Sequence, residues 1–201
     1  SSLAFDTLFA EGQRRFAERL QADGSLYMDN LRDAKVTDIY VCNGREDGCS
    51  WAPRFVTHGF RYVEVTGLPE ASLEDFVGEV VSDEMEVTGS FECSDTLVNR
   101  IYRNAYWGIL GNYKGMPIDC PQRNERQPWL GDRTRGALGE SYIFGNERLY
   151  AKWMNDICES QRSDGLIPDV APAYWNYYTG DVTWPAALPF VCDMLYTQYG
   201  N

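Results

Sequence analysis

Asp119, Glu125 and Asp132 stand close together in the stretch 114–133, which also carries Trp129, Lys114, Arg123, Arg126 and Arg133, with Arg135 just beyond. Pro117, Pro121 and Pro128 each fix their own φ, so this stretch has a stiff backbone. A rigid loop presenting carboxylates beside an aromatic ring suits glycosidic cleavage. One carboxyl group protonates the leaving oxygen, others accept sugar hydroxyls, and the ring supplies an apolar face. Spacing alone leaves a second reading open, a solvated loop of ion pairs between alternating signs.

The elements around this loop must hold it in place. From Ser94 onward the apolar period is helical. Ser94-Asp95 is a good N-cap, and Leu97, Val98, Ile101, Ala105, Ile109 and Leu110 fall on one stripe ended by Gly111-Asn112. The spacing predicts further helices over 132–144, over 147–161 with Leu149, Trp153, Ile157 and Cys158, and one that starts after Pro185 and runs to Gly200. Two long connections, 113–131 and 166–185, separate these helices. A small bundle joins its helices by roughly 2–8 residues, so loops of this length are expected to carry function.

Upstream the pattern is that of short strands. Residues 38–42 are β-rich before Asn43-Gly44, and 60–66 alternate with period two before Gly67 and Pro69. Residues 77–81 and 85–91 read as further strands about an acidic turn. Residues 8–20 fit a helix or a strand, while Asp23-Gly24 reads as a turn into a strand at Ser25-Leu26-Tyr27-Met28.

The whole chain has 201 residues and a net charge of −12, with 44% apolar and 24% charged residues. That balance fits a globular protein and argues against nucleic acid or an anionic membrane surface as partner. No apolar run approaches the roughly 18 residues of a membrane span, and the N-terminus lacks the pattern of a signal peptide. The compartment stays open, with periplasmic or secreted favoured over cytoplasmic. Six Trp, thirteen Tyr and nine Phe are many rings for one chain. Such rings suit the mixed faces of sugars as well as a core, and both uses stay open for the cluster Tyr174, Trp175, Tyr177, Tyr178 and Trp184. Of six cysteines, Cys42 and Cys49 are near enough in sequence to close a short loop, and most of the cysteines read by default as buried free thiols. With His58 the single histidine, a Cys/His zinc site is disfavoured, and no metal or cofactor is expected.

The block Asp119-Cys120-Pro121-Gln122-Arg123-Asn124-Glu125-Arg126, followed by Trp129 and Gly131-Asp132, closely resembles the signature of inverting bacterial α-L-rhamnosidases. Further stretches agree. Pro53-Arg54-Phe55 and His58 to Val65 are similar to a β-sandwich segment of that family, and Arg162 to Pro172 is similar to its D-G-x-x-P-D-V-A-P loop. Gly180-Asp181 and the closing Leu195-Tyr196 to Tyr199-Gly200 also fit. Asn124 stands where the family usually has Asp, and Gln127-Pro128 replaces the usual residue-Gly.

The resemblance implies that Glu125 is the general acid. It implies that Asp119, Arg123, Asp132 and Asp181 hold the sugar, that Trp129 is a pocket aromatic, and that the general base lies outside these residues. It places His58 in the β-domain, in a structural role. The implied fold is a β-sandwich portion over 1–90 followed by the first helices of an (α/α)6 barrel over 91–201, a fragment of a larger enzyme. The implied substrate is a rhamnose-containing oligosaccharide or glycoside, and the rest of the parent chain is needed for activity. The alternatives are another (α/α)6 glycosidase with a different sugar, or a non-catalytic sugar-binding fragment.

Overall fold

A computed structural model describes residues 2–5, 11–41, 49–68, 70–175 and 177–201, the side chains of 2–5, 11–16 and 49 apart. The chain divides into two units, Ser1–Val81 with Pro121–Asn124, and Ser82–Cys120 with Glu125–Asn201.

The first unit is built from short antiparallel strands. β1 (Ser2–Phe5) pairs with β6 (Cys49–Trp51) on one side and β8 (Phe76–Val77) on the other. β2 (Glu11–Ala17) is the centre of a second sheet between β5 (Thr37–Val41) and β7 (Tyr62–Thr66), in a register that sets Gln13 opposite both Ile39 and Thr66. The stretch that fitted helix or strand is thus extended where it is described, because both edges of β2 find ladder partners. β3 (Arg19–Leu20) and β4 (Leu26–Tyr27) form a hairpin. Gly24 takes φ +87° in its turn, and Asp23 Oδ1 accepts the Ser25 N–H at 3.0 Å. Leu31 and Val36 make a small core with Met28 and Ala34 against it. His58 Nε2 lies 3.0 Å from Asp38 Oδ1, with both side chains buried, so the single histidine has a structural partner. Cys42 and the Cys49 side chain lie outside the described residues, as does the Asn43-Gly44 stop.

Two expected strands are corrected. Residues 78–81 lie outside β8, and 85–91 form a single bridge, Val87 to Phe144. For 85–91 the cause is where the backbone groups bond. Gly145 N–H donates to Glu86 C=O, and the Thr88 and Gly89 N–H groups donate to Ile143 C=O, so this segment follows a turn of the helical unit.

In the second unit, α1 (Thr96–Gly111) starts at Asp95, whose carboxylate accepts the Leu97 and Val98 N–H groups at 2.8 and 3.4 Å. Its packed face is Tyr102, Tyr106, Ile109 and Leu110, against Tyr113, Ile143, Phe144 and Leu149. Leu97 and Ile101 stay exposed. The helix expected over 132–144 is two short pieces, α2 (Leu130–Arg133) and α3 (Gly136–Ser141). Gly131, Gly136 and Gly139 weaken helix propensity there, and Arg133 is drawn to partners outside the helix. α4 (Glu147–Glu159) buries Leu149, Tyr150, Trp153, Met154 and Ile157. α5 (Ala187–Tyr199) packs on it through Val191, Met194 and Leu195, and ends on Gly200 at φ +74°. Cys158 and Cys192 are exposed free thiols and Cys93 is half-buried, so Cys120 is the buried one among the described cysteines. No helix among the described residues is long and apolar enough to cross a membrane.

Candidate active site

The chemistry-bearing loop leaves α1 at Tyr113 and returns at α2. Its base is anchored by Arg133, which donates through Nη2 to the Ile118 carbonyl at 2.9 Å and through Nη1 to Glu140 Oε1 at 3.0 Å. Glu140 is buried and also accepts the Tyr113 and Tyr150 hydroxyls, each at 2.5 Å. A buried carboxylate is tolerated when it is paired and hydrogen-bonded in this way. Burial, reinforced by the Glu140 charge, holds both phenols well above the usual tyrosine range, so they remain donors.

Above that base, Asp119 and Gln127 close a latch. The Asp119 N–H donates to the Gln127 carbonyl at 2.9 Å, and the Gln127 N–H donates to Asp119 Oδ1 at 2.7 Å. The buried Cys120 thiol donates to Asp119 Oδ2 at 2.7 Å. Arg126, at φ +51°, turns the chain sharply after Glu125 and so brings Gln127 back to Asp119. The latch also presents Glu125. Its Oε1 accepts the Trp129 indole N–H at 3.1 Å, and its backbone carbonyl accepts Gln127 Nε2 at 3.1 Å.

The second long loop braces this arrangement from the other side. Leu130 N–H donates to the Asp169 carbonyl at 2.9 Å, Trp129 and Val170 form a β-bridge, and the Trp153 indole donates to the Ala171 carbonyl at 2.6 Å. Gly131 is required here, because a Cβ would lie 2.5 Å from Trp184 Cε2.

Asp132 follows on α2. Its side chain reaches solvent, yet its carboxyl is held above the usual range, first by the desolvation of its protein side and then by Asp119 and Glu125, against the pull of Arg133. The Asp119 and Glu125 oxygens and the Cys120 sulfur lie within 4.8 Å of one another, a spacing that could surround a cation. The hydrogen bond from the Cys120 thiol to Asp119 accounts for part of that closeness. Chemically, the cluster offers a carboxyl group positioned by an indole, two neighbouring carboxylates, and aromatic surface.

The structure therefore brings Asp119, Glu125, Trp129 and Asp132 together. Arg123, half-buried, is grouped with the first unit through Pro121–Asn124. In that unit Asn124 Nδ2 donates to Asp33 Oδ1 at 2.5 Å, so the residue that departs from the usual Asp is the one able to donate to a carboxylate. Asp181 sits on an exposed turn, where the Thr183 N–H donates to its Oδ1 at 2.7 Å and holds its carboxyl below the usual range. The aromatic cluster splits by role. Tyr174 is almost fully exposed, Trp184 packs against the core, and the Tyr177 ring meets Trp129 with centroids 5.8 Å apart. Sequence reasoning missed Arg133 and Glu140 as supports. Their spacing of seven fits one helical face, but nothing in the sequence says that this face points inward beneath the loop.

Comparison with known proteins supplies the context of this geometry. Residues 86–201 match the bacterial alpha-L-rhamnosidase 6 hairpin glycosidase domain, and residues 11–82 match the bacterial alpha-L-rhamnosidase concanavalin-like domain. An alpha-L-rhamnosidase of Streptomyces avermitilis is 39% identical over 188 residues, which are 93% of this chain and 18% of that protein. One from Formosa agariphila is 39% identical over 163 residues, 79% of this chain and 17% of that protein. The chain thus spans under a fifth of the length of these relatives. Among solved structures, the alpha-L-rhamnosidase from Dictyoglumus thermophilum superposes with TM-score 0.95 at 39% identity, covering 100% of this chain and 23% of that one. The Streptomyces avermitilis alpha-L-rhamnosidase complexed with L-rhamnose gives TM-score 0.93 at 37% identity, covering 100% of this chain and 20% of that one.

Proposed function

The chain belongs to the bacterial α-L-rhamnosidase family, and from that membership we propose that the whole protein releases terminal α-L-rhamnose from glycosides by inverting hydrolysis, with Glu125 as the proton donor. The observation that carries this reading is the setting of Glu125. It lies on a latched loop, with an indole N–H on Oε1 and the Asp119 and Asp132 carboxylates beside it.

Protonation of the leaving oxygen by Glu125 lets the bond to the anomeric carbon break as water adds from the opposite face. The base that takes the proton of that water lies outside these 201 residues. An inverting enzyme keeps the two carboxyl groups roughly 6.5–9.5 Å apart to leave room for the water. Asp119, Arg123, Asp132 and Asp181 hold sugar hydroxyls, and Trp129 offers its face to the ring. In this reading α1 to α5 are opening helices of an (α/α)6 barrel, and the first unit is part of a β-sandwich.

The test is Glu125→Gln in the whole protein. General acid help is worth roughly 10²–10⁴ in rate. A loss of that size is expected on a natural rhamnoside, whose alkoxide leaves poorly, and a smaller one on an aryl rhamnoside, whose phenolate needs less help. NMR of the first-formed sugar should show the β anomer from an α-linked substrate. Near wild-type hydrolysis of the natural rhamnoside by Glu125→Gln would move the acid role to Asp119 or Asp132. Release of a sugar other than rhamnose would favour a different glycosidase specificity.

A further inference from the structure

On the reading of Glu125 as the acid, we propose that Tyr177 is a positioning residue for the proton transfer, holding the Trp129 indole so that its N–H stays on Glu125 Oε1. The backbone of Trp129 is fixed on both sides, by its own N–H to the Gln127 carbonyl at 3.0 Å and by the next N–H, that of Leu130, to the Asp169 carbonyl at 2.9 Å. Backbone bonds leave the side-chain torsions of an indole free, so a contact on the ring must set them. Tyr177 makes that contact, with its ring tilted 44° to the indole and 5.8 Å away. That separation lies within the roughly 4.5–7 Å at which aromatic pairs attract one another.

Asp169 keeps the two rings in register. Its carbonyl accepts from Leu130, beside Trp129, and its N–H donates to the Tyr177 carbonyl at 2.8 Å. One residue of the second loop therefore ties Tyr177 to the segment that carries the indole.

The bond from Trp129 to Glu125 has a chemical consequence. A protonated carboxyl group has one carbonyl oxygen, an acceptor, and one hydroxyl oxygen, the donor. With the indole N–H on Oε1, that atom serves as the carbonyl and the proton resides on Oε2. In the reaction the Oε2–H bond breaks and the proton passes to the glycosidic oxygen, which departs with the electron pair of its bond to the anomeric carbon. The carboxylate left behind carries a full charge, and the same indole N–H is in place to meet it, as a charge-assisted hydrogen bond. The ring of Tyr177 performs this task. Its hydroxyl does not.

The experiment compares kcat and KM of the whole protein on an alkyl and a nitrophenyl α-L-rhamnoside, with folding checked by circular dichroism. The variants are Tyr177→Ala, Tyr177→Phe, Trp129→Phe and the pair Tyr177→Ala with Trp129→Phe. Tyr177→Ala is expected to lower kcat on the alkyl substrate roughly tenfold, a part of what general acid help supplies, and to change the nitrophenyl rate little. Tyr177→Phe, which keeps the ring, recovers most of the loss. Once Trp129→Phe has removed the N–H, Tyr177→Ala adds no further bias between the two substrates, because both changes act through one bond.

Equal losses on both substrates would overturn the proposal. So would damage by Tyr177→Phe seen mainly in KM, which would put the hydroxyl on the sugar, or a full additional bias in the Trp129→Phe background. Glu125→Gln, run alongside, separates the two levels. If it keeps the alkyl activity, the reading of Glu125 falls. If it abolishes that activity while the Tyr177 variants show no bias, the role of Tyr177 alone falls.

Discussion

Asp119 and Asp132 flank the same glutamate but face different demands. Asp119 is oriented by the loop, with Oδ1 on the Gln127 N–H and Oδ2 on the Cys120 thiol. Asp132 has its carboxyl raised above 3.8, first by desolvation and then by its two carboxylate neighbours. A carboxyl raised on folding favours the folded state while it is protonated, and that contribution fades as pH rises through the folded-state value. Asp132→Asn mimics the protonated form, so it is expected to stabilise the protein near neutral pH. The difference should close below about pH 3.8, where the wild-type side chain is protonated in both states. Solvent screening at this exposed side chain keeps the gain below about 1 kcal/mol. Melting curves of both proteins at pH 7 and pH 3.5 check this, and a variant less stable than wild type at pH 7 would contradict it. Activity should move the other way. If Asp132 grips sugar hydroxyls, its loss raises KM and lowers kcat together, so stability is gained where function is lost.

The short helices α2 and α3 hold the loop through the Arg133–Glu140 pair rather than through apolar burial alone. Glu140 has a side chain 5% exposed and gathers Arg133, Tyr113 and Tyr150. Glu140→Ala leaves a nearly buried guanidinium without its carboxylate and two phenols without their acceptor. The expected loss is about 3–5 kcal/mol in urea-induced unfolding of the second unit. Glu140→Gln, which keeps one acceptor oxygen for the phenols, should lose less. Because Arg133 also carries the Ile118 carbonyl at the root of the latch, Glu140→Ala should lower kcat in whatever fraction remains folded. An unfolding midpoint unchanged from wild type would refute the supporting role. Gly131 serves the same end, since a Cβ there would lie 2.5 Å from Trp184 Cε2.

Both units leave apolar side chains in water. Ile39 and Val41 are 52% and 72% exposed in the first, and Leu97, Ile101 and Trp107 are 63%, 59% and 53% exposed in the second. Exposed apolar surface of this kind calls for a cover. A preparation of these 201 residues alone is therefore expected to bind a hydrophobic dye such as ANS strongly. It should also fail to turn over an aryl rhamnoside, because the proposed base lies elsewhere. The whole protein should bind little dye and be active. Measurable turnover by the verified 201-residue chain would refute this expectation and would place both catalytic groups within it.

Local chemistry made much of this legible in the amino-acid order alone. The Asp95 cap, the helical periods of α1, α4 and α5, the Asp23-Gly24 turn and the period-two strand β7 follow from interactions between residues near in sequence, as does the gathering of Asp119, Glu125, Trp129 and Asp132 on one loop. The rest waited on the tertiary structure because its causes are distant in sequence. The break between α2 and α3 comes with Arg133 reaching Ile118 and with Trp184 lying over Gly131. Residues 85–91 lose their strand to backbone partners near Phe144, and the exposed side of α1 depends on which neighbours pack against it. The pairing of Tyr177 with Trp129 joins two loops whose meeting no local period encodes. Periodicity and capping act within a few residues, whereas a desolvated ion pair or an aromatic contact exists only once the fold has brought its partners within reach.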